Sequence, residues 1–597
     1  MPLWSPVDLL PGLYTGLCAI LLRAVLNRWY DPLPKRVLAT YGLVLVLLFG
    51  PVLCGGSLLL PLDNLRGHAP FQGLAPAEPH GNPIQGDLVQ LVIPSLGAVR
   101  EAFAEGRWPL WNHRAGAGMP LLADPQAQAL QPLAWLTLPL PLPRAAGALA
   151  AVRVLLALAF SFLLFRRQGF GIGPSLAGSL GYGLGGFVLL WVGWPLANPA
   201  ALLPLFLYAG IRCLRDGGRR DSVLLAAATF ALLLGGHPEA ILLTLGLGAA
   251  WMLAEVFGST PRREPRSRAL RRAALALALG AALAAPGLLP ALDLIPDSLR
   301  ADRLRNPAPA SEESGFGSDL ARRLLPIAAP NAYGNSRFYE YWGLHNTNED
   351  AAGFVGTPLL LAALLSLGAR RRFPQERLTL VMTGAALLWL AGIGDTRRAL
   401  LLVAWGLAYL GACTLERLRR GETHRRAVVA VVAAAMGFAG LLFWAYLGHP
   451  NPEDPARLAV LRDGWLHWQM RFLILAVALF LVGRKRHWPG AAFAAIVAAE
   501  LLLAHGPANP PMPQRLAFPW NEPLRFLEQR LAEDPDGSRL AALGRAFPPN
   551  LPSLYGFPDA RVYNPMAPFA YIDLVAPVTA AWWGELPEFG NPGNPLY

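Results

Sequence analysis

The chain has 597 residues, 54% of them hydrophobic and only 15% charged, with a mean hydropathy of +0.37. Soluble domains carry about a quarter charged residues, and a β-barrel would show alternating segments of ~10 residues, so both are set aside for a polytopic helical membrane protein. The net charge of +12 sits in short arginine-rich loops between apolar runs, which is a topology signal and argues against nucleic acid as a partner.

The first apolar stretch, "LLPGLYTGLCAILLRAVL" at 9–26, is interrupted by Pro11 and carries Arg23. It reads as an interfacial or buried helix inside an N-terminal segment, 1–36, with no leader peptide that would be cleaved. The first span is about 37–59, "VLATYGLVLVLLFGPVLCGGSLL". Arg28, Lys35 and Arg36 precede it, so it runs from the cytoplasm outward. Later spans are expected near 146–165, 171–193, 197–214, 222–235, 240–257, 273–292, 354–368, 378–394, 399–415, 427–447, 466–483 and 488–505, thirteen in all. The arginine clusters at 166–167, 215–221, 262–272, 369–372, 416–426 and 484–487 then all fall inside.

The transmembrane domain is therefore 37–505, with large outward loops at 60–145 and 293–353. Residues 506–597 form an outward C-terminal domain, Pro-rich and then mixed, where "EPLRFLEQRLAEDPDGSRLAALGRAFPPN" has a helical period and an α/β segment is expected. The four cysteines (18, 54, 213 and 413) are scattered and predict neither a disulfide framework nor a zinc site. A phosphate loop of the G-x-x-x-x-G-K-[ST] type is missing, so a cytoplasmic nucleotide is not indicated as energy source.

Among these outward segments, "GDLVQLVIP" at 86–94 places a carboxylate, Asp87, at the membrane surface. Asp87 and Gln90 have the spacing of a capping box before the apolar residues Leu88, Leu91 and Val92, and Pro94 would break or kink that helix. The alternative is a general base kept ionised by a helix N-terminus. His237 and Glu239, in "GGHPEA", suit either a tight turn before a new helix or a site at the same membrane face. Arg100, Arg107 and Arg114 follow Asp87 as surface charge or as ligands of a lipid phosphate. The loop "NAYGNSRFYEYWGLHNTNED" (331–350) contains His345 and the second-choice carboxylates Glu349 and Asp350, among aromatic residues suited to sugars or to the membrane interface. Arg153 lies within a span, where a charge marks either function or a buried partner.

The run 86–136 resembles the YfhO-like bacterial membrane proteins. It carries the family's D-x-x-Q-x-x-x-P pattern as Asp87, Gln90 and Pro94. The G-x-x-P-L-W-N segment follows as Gly106, Pro109, Leu110, Trp111 and Asn112, and G-x-G-x-P as Gly116, Gly118 and Pro120. Further matches are "GHPEA" at 236–240, "NEDAAGFVGTPLLLAALLSL" at 348–367 and "PPNLPSLYGFPDARVYNPM" at 548–566. Members of that family usually continue to a last span, whereas this chain stops at "GNPGNPLY", as a short or truncated member would.

The resemblance implies a GT-C-like helical bundle that transfers a sugar, a hexosyl group, from a polyprenyl-phosphate carrier to an extracytoplasmic glycan or protein acceptor. It implies Asp87 as the catalytic carboxylate. The expected substrate-binding set is Gln90, Arg100, Trp111, Asn112, Arg114, His237, Glu239, His345, Glu349 and Asp350. Arginines, or a divalent metal held by carboxylates, would stabilise the leaving phosphate. The expected location is the bacterial cytoplasmic membrane, with the site on the extracytoplasmic face. The alternatives are a non-catalytic lipid or polysaccharide transporter, which would need polar residues at mid-membrane depth in several spans, and an envelope scaffold.

Overall fold

The computed structural model describes residues 6–72, 81–258, 261–305, 323–335, 340–341, 345–369, 372–393, 397–422, 433–441, 443, 455–482, 490–534, 537–542 and 546–575. Among them, nine helices are long and apolar enough to cross a membrane: Leu10–Trp29, Lys35–Cys54, Leu142–Arg167, Ile172–Leu190, Ala197–Arg215, Pro238–Phe257, Arg266–Asp297, Arg397–Arg419 and Gly490–Ala508. A tenth is the pair Thr347–Gly353 and Thr357–Ser366, bent by 47°. The protein is a multi-pass helical membrane protein.

The expected spans that fall short have local reasons. The one at 222–235 is a 15-residue helix, Arg219–Leu233. The one at 378–394 changes from α-helix to a π turn at Trp389. Pro455–Val482 covers the span expected at 466–483. Much of 427–447, the arginines at 425–426 and the cluster at 484–487 lie outside the described residues.

The N-terminal segment differs from expectation. Residues 10–29 form one continuous helix, because Pro11 falls in its first turn, where the missing N–H costs nothing. Leu13, Leu17, Ile20 and Leu21 are exposed, as on a lipid-facing helix. A Cβ on Gly12 would meet the Leu53 carbonyl oxygen at 2.7 Å, so this helix begins at the end where Lys35–Cys54 finishes. The two make a hairpin. If both cross, every later loop keeps the side expected of it.

The bundle packs around Leu142–Arg167, which is buried on nearly all faces. In lipid the hydrophobic effect does little to bring helices together, and close approach of small residues does more. The helix Ile172–Gly183 shows this: a Cβ on Gly181 would lie 2.0 Å from Leu359, and one on Gly178 would lie 2.6 Å from Phe165. At one end of the bundle the arginines are paired. Arg167 bridges Asp31 and Asp216, Arg212 reaches Asp221 at 2.7 Å, and Arg215 grips Glu255 at 2.7 and 2.9 Å. Glu376 takes Arg372 and Arg417, while Glu416 takes Arg419 and Arg420.

The opposite end carries Asp87. There the first loop and the C-terminal segment share one core, in which Leu58, Phe71, Val89 and Ile93 pack with Met512, Phe547, Leu551 and Tyr555. The strand Ser57–Leu58 pairs antiparallel with Met512–Pro513. The described C-terminal residues thus form a layer with the first loop. The helical period expected over 522–550 produces a helix only over Glu522–Ala532, capped by Asn521 and ending before Pro535 and Gly537.

Candidate functional site

Asp87 stands at the start of a helix that runs on to Ala104 and contains a π turn, Leu88–Val92. Its side chain makes no capping hydrogen bond, so the capping reading does not describe it. The π turn follows from Pro94. Proline has no N–H for the carbonyl four residues back, and its ring crowds that turn. The helix widens locally, with the Ile93 N–H reaching the Leu88 carbonyl, and the Gln90 carbonyl that Pro94 leaves vacant accepts from Asn550 Nδ2 at 2.9 Å. π turns of this kind recur at functional sites.

The Asp87 carboxylate receives the Tyr563 hydroxyl at 2.6 Å, 476 residues away in sequence. Trp194 is its second donor. Burial pushes the Asp87 pKa above the usual carboxylate range, and the hydrogen bonds from Tyr563 and Trp194 pull against that rise. Trp194 is brought there by Gly193, which lies so close to Leu88 that a Cβ would sit 2.6 Å from its side chain.

Three turns meet behind Asp87, clamped by one arginine. Arg153, fully buried, donates from Nη1 to the Val192 carbonyl at 2.7 Å, from Nε to Asn198 at 2.8 Å and from Nη2 to Gln128 at 3.0 Å. Gln128 adopts the left-handed conformation at φ 56° and also receives Asn198 Nδ2 at 2.8 Å. Asn198 in turn reaches the Gly235 carbonyl at 3.1 Å. Gly236, at φ 88°, leaves so little room against Pro195 and the Pro125 carbonyl that a side chain would collide with both. Arg153 therefore has a buried set of partners, which resolves the choice left open by the sequence. Beside Gln128, buried Asp124 accepts from the Gln126 N–H at 2.8 Å and from Asn564 Nδ2 at 2.7 Å; burial raises its pKa to about 6.

A patch of ion-paired arginines lies beyond the tryptophans. Trp191 packs edge-on against Trp194 at 5.1 Å, and the Arg398 guanidinium sits 4.6 Å over the Trp191 ring. Arg398 also grips both oxygens of Glu349 at 3.0 and 2.9 Å, while Arg300 pairs with Glu239 at 2.7 Å. His237 lies within the fields of both arginines. Burial first, and then Arg398 and Arg300, pull its pKa down to about 3, so it is neutral at physiological pH; among the described residues its Nδ1 has no hydrogen-bond partner. Behind this patch, Asp350 is held by Arg397 at 2.9 Å, by His345 Nδ1 at 3.2 Å and by Tyr341.

Asp87 thus shares one end of the bundle with His237, Glu239 and Glu349, linked through Trp194, Trp191 and Arg398. His345 and Asp350 support the patch from behind. Other candidates have local partners. Arg100 donates to the Leu140 carbonyl at 2.7 Å and to that of Thr137. Arg107 pairs with Glu105, and Arg114 with Glu101. Gln90 is buried, Trp111 is exposed on a small hairpin with Met119–Pro120, and Asn112 Oδ1 accepts the Arg114 N–H at 3.0 Å. Among the described residues no three His, Cys, Asp or Glu side chains converge as a metal-binding set. Tyr563 and Asn564 lie in the matched stretch 548–566 but carry no assigned role in the sequence, and Asp124, Trp194, Arg300 and the pair Arg397–Arg398 are not among the candidates. The last left a signal, as an arginine pair in the outward gap between the spans expected at 378–394 and 399–415.

An apolar cleft of about 280 Å³ begins beside Asp124 and Gln128. Leu234, Pro238, Ile241, Leu245 and Leu288 line it, so it descends along the helix that His237 precedes.

No family model matches the chain, and no curated protein matches it. Several solved structures are similar to it, among them these three. ArnT from Cupriavidus metallidurans bound to undecaprenyl phosphate is 14% identical with a TM-score of 0.43, over 88% of this chain and 86% of that one. The same protein in the apo state is 16% identical with a TM-score of 0.43, over 82% and 85%. The arabinofuranosyltransferase AftD from Mycobacteria, as the mutant R1389S, is 16% identical with a TM-score of 0.41, over 70% of this chain and 28% of that one.

Proposed function

We propose that the protein is a glycosyltransferase of the GT-C kind, moving a sugar from a polyprenyl-phosphate carrier to an acceptor hydroxyl. The Asp87 end of the bundle faces the outside of a bacterial cytoplasmic membrane, and the acceptor is an extracytoplasmic glycan or protein. The observation that carries this is the placement of Asp87: a buried carboxylate with a raised pKa, held by two neutral donors, at the same end of the bundle as a patch of ion-paired arginines and the mouth of an apolar cleft.

Two donors leave part of the carboxylate's acceptor capacity open to a substrate hydroxyl. A raised pKa makes Asp87 a stronger base, as suits general-base catalysis. Asp87 takes the acceptor's proton while the acceptor oxygen forms its bond to the anomeric carbon. The bond from that carbon to the phosphate oxygen breaks, and the phosphate leaves with its lipid. Arg398 and Arg300 offset the negative charge that develops, and neutral His237 offers a hydrogen bond where an imidazolium charge beside the two guanidiniums would be disfavoured. The apolar cleft suits the carrier's hydrocarbon, and membrane lipid fills it otherwise. Glycosyl transfer from an already activated donor also accounts for a chain without a nucleotide-binding loop. Mass spectrometry of lipids from cells lacking the protein tests this: a polyprenyl-phosphate sugar should accumulate and disappear on complementation. An unchanged lipid-linked sugar pool would count against it.

A further inference from the structure

The C-terminal segment reaches into the candidate site at three points. Tyr563 donates to Asp87 at 2.6 Å, Asn564 Nδ2 to Asp124 at 2.7 Å, and Asn550 Nδ2 to the Gln90 carbonyl at 2.9 Å. Asn550 also brackets Tyr563: its Nδ2 donates to the Tyr563 carbonyl at 2.6 Å and its Oδ1 accepts the Tyr563 N–H at 3.2 Å. It does so from the left-handed region, φ 68°, where asparagine is among the few side chains at ease. The Asn564 amide is oriented as well, since its Oδ1 accepts the Met566 N–H at 2.8 Å.

We propose that Tyr563 and Asn564 are positioning residues of this site, with Asn550 fastening them to the Gln90 carbonyl of the Asp87 helix. The proposal rests on the glycosyl-transfer reading of Asp87. Its geometry makes the C-terminal segment part of the site and not a separate domain beside it. The segment is anchored independently of the two side chains. Buried Arg561 joins Asp559 at 2.8 Å and the Phe547 carbonyl at 2.6 Å, and the Asp559 N–H reaches the Arg114 carbonyl at 2.8 Å. Removing one hydroxyl therefore leaves the segment in place.

The role of Tyr563 is to hold Asp87 in one orientation and to favour its ionised form. The groups donating to Asp87 are Tyr563 from the C-terminal segment and Trp194 from the turn opposite, and both are uncharged. A hydrogen bond to an ionised group typically shifts its ionisation by roughly tenfold to a hundredfold. Without the Tyr563 hydroxyl, the Asp87 pKa rises further.

The test compares kcat and KM against pH for the parent, Tyr563→Phe and Asp87→Asn, in full-length protein with a polyprenyl-phosphate sugar donor. For Tyr563→Phe the acid limb of kcat should move up by about 1–2 pH units, with KM for the donor unchanged. A parent-like profile for Tyr563→Phe beside an inactive Asp87→Asn overturns the proposal and leaves the transfer reading standing. An active Asp87→Asn overturns the transfer reading instead. The fastening is then decided by hydrogen exchange: Asn550→Ala, or Asn550→Asp if that protein does not accumulate, should speed exchange about tenfold or more, the loss expected for a bond worth ~1.4 kcal/mol, at 88–95 and 559–567. Parent-like exchange overturns the proposal.

Discussion

Replacing Arg153 with Met probes the link between fold and site, because the two side chains are similar in length and only the guanidinium is lost. Three hydrogen bonds disappear, at 2.7, 2.8 and 3.0 Å. Gln128 keeps the Asn198 donor, so the acceptors left without a partner are the Val192 carbonyl and Asn198 Oδ1. Each costs about 1–3 kcal/mol when buried and unpaired, roughly 2–6 kcal/mol together. Part of that is offset, because no ion pair neutralises Arg153 among the described residues and the parent bears the cost of a buried guanidinium. A net loss of about 1–3 kcal/mol remains. Large membrane proteins unfold irreversibly, so the assay is the half-life of the detergent-purified protein at one elevated temperature. Hydrogen exchange over 124–131 and 190–198 should rise in parallel, since Arg153 joins those two turns. Arg153→Lys should fall between, having one ammonium for three acceptors. A variant Arg153→Met with the parent's half-life and the parent's exchange in both turns would refute the clamp.

Arg398→Gln should raise KM for a polyprenyl-phosphate donor by about ten- to a hundredfold, the loss of a charge-assisted hydrogen bond worth ~1.5–3 kcal/mol; unaltered KM would remove Arg398 from the phosphate site. Asp124, with a pKa raised by burial to about 6, contributes stability that is fully present below its unfolded value near 4 and lost as pH rises through 6. Inactivation at elevated temperature should therefore quicken between about pH 4 and 6, and Asp124→Leu should flatten that step; an identical step in the variant would refute the assignment. In a cysteine-free background, intact cells should be labelled by an impermeant thiol reagent at Trp108→Cys but not at Ser267→Cys, both exposed positions, and the reverse pattern would invert the topology.

Much of the bundle was legible because membrane spans are written locally, in unbroken apolar stretches with arginines at their ends. The exception at 10–29 is instructive. Pro11 weighed against a span only on the assumption that it lay inside the helix, whereas it occupies the first turn. Asp87 stood out in the sequence as a candidate, through its pattern with Gln90 and Pro94. Its cap spacing misled, because the backbone does not start a helix there with free N–H groups to satisfy but passes straight into a π turn that Pro94 imposes. What surrounds Asp87 could not be read locally. Tyr563 and Asn564 lie more than 400 residues from the carboxylates they hold. Arg398 was obscured by a rule that treats arginine pairs as markers of the inner face, yet it pairs with Glu349 and stacks on Trp191 at the Asp87 end of the bundle.

Asp87→Asn tests the central claim most directly. The substitution keeps size and shape, replaces one acceptor oxygen by a donor, and removes the base. General-base catalysis contributes roughly 10²–10⁴-fold, which corresponds to about 3–5 kcal/mol of barrier. With Asp87 making no cap hydrogen bond, no helix-capping loss is expected to accompany it. The account predicts that purified Asp87→Asn keeps the parent's thermal half-life and its KM for a polyprenyl-phosphate sugar while sugar release falls by about a hundredfold or more. Turnover within a few-fold of the parent, in protein of parental stability, would contradict it.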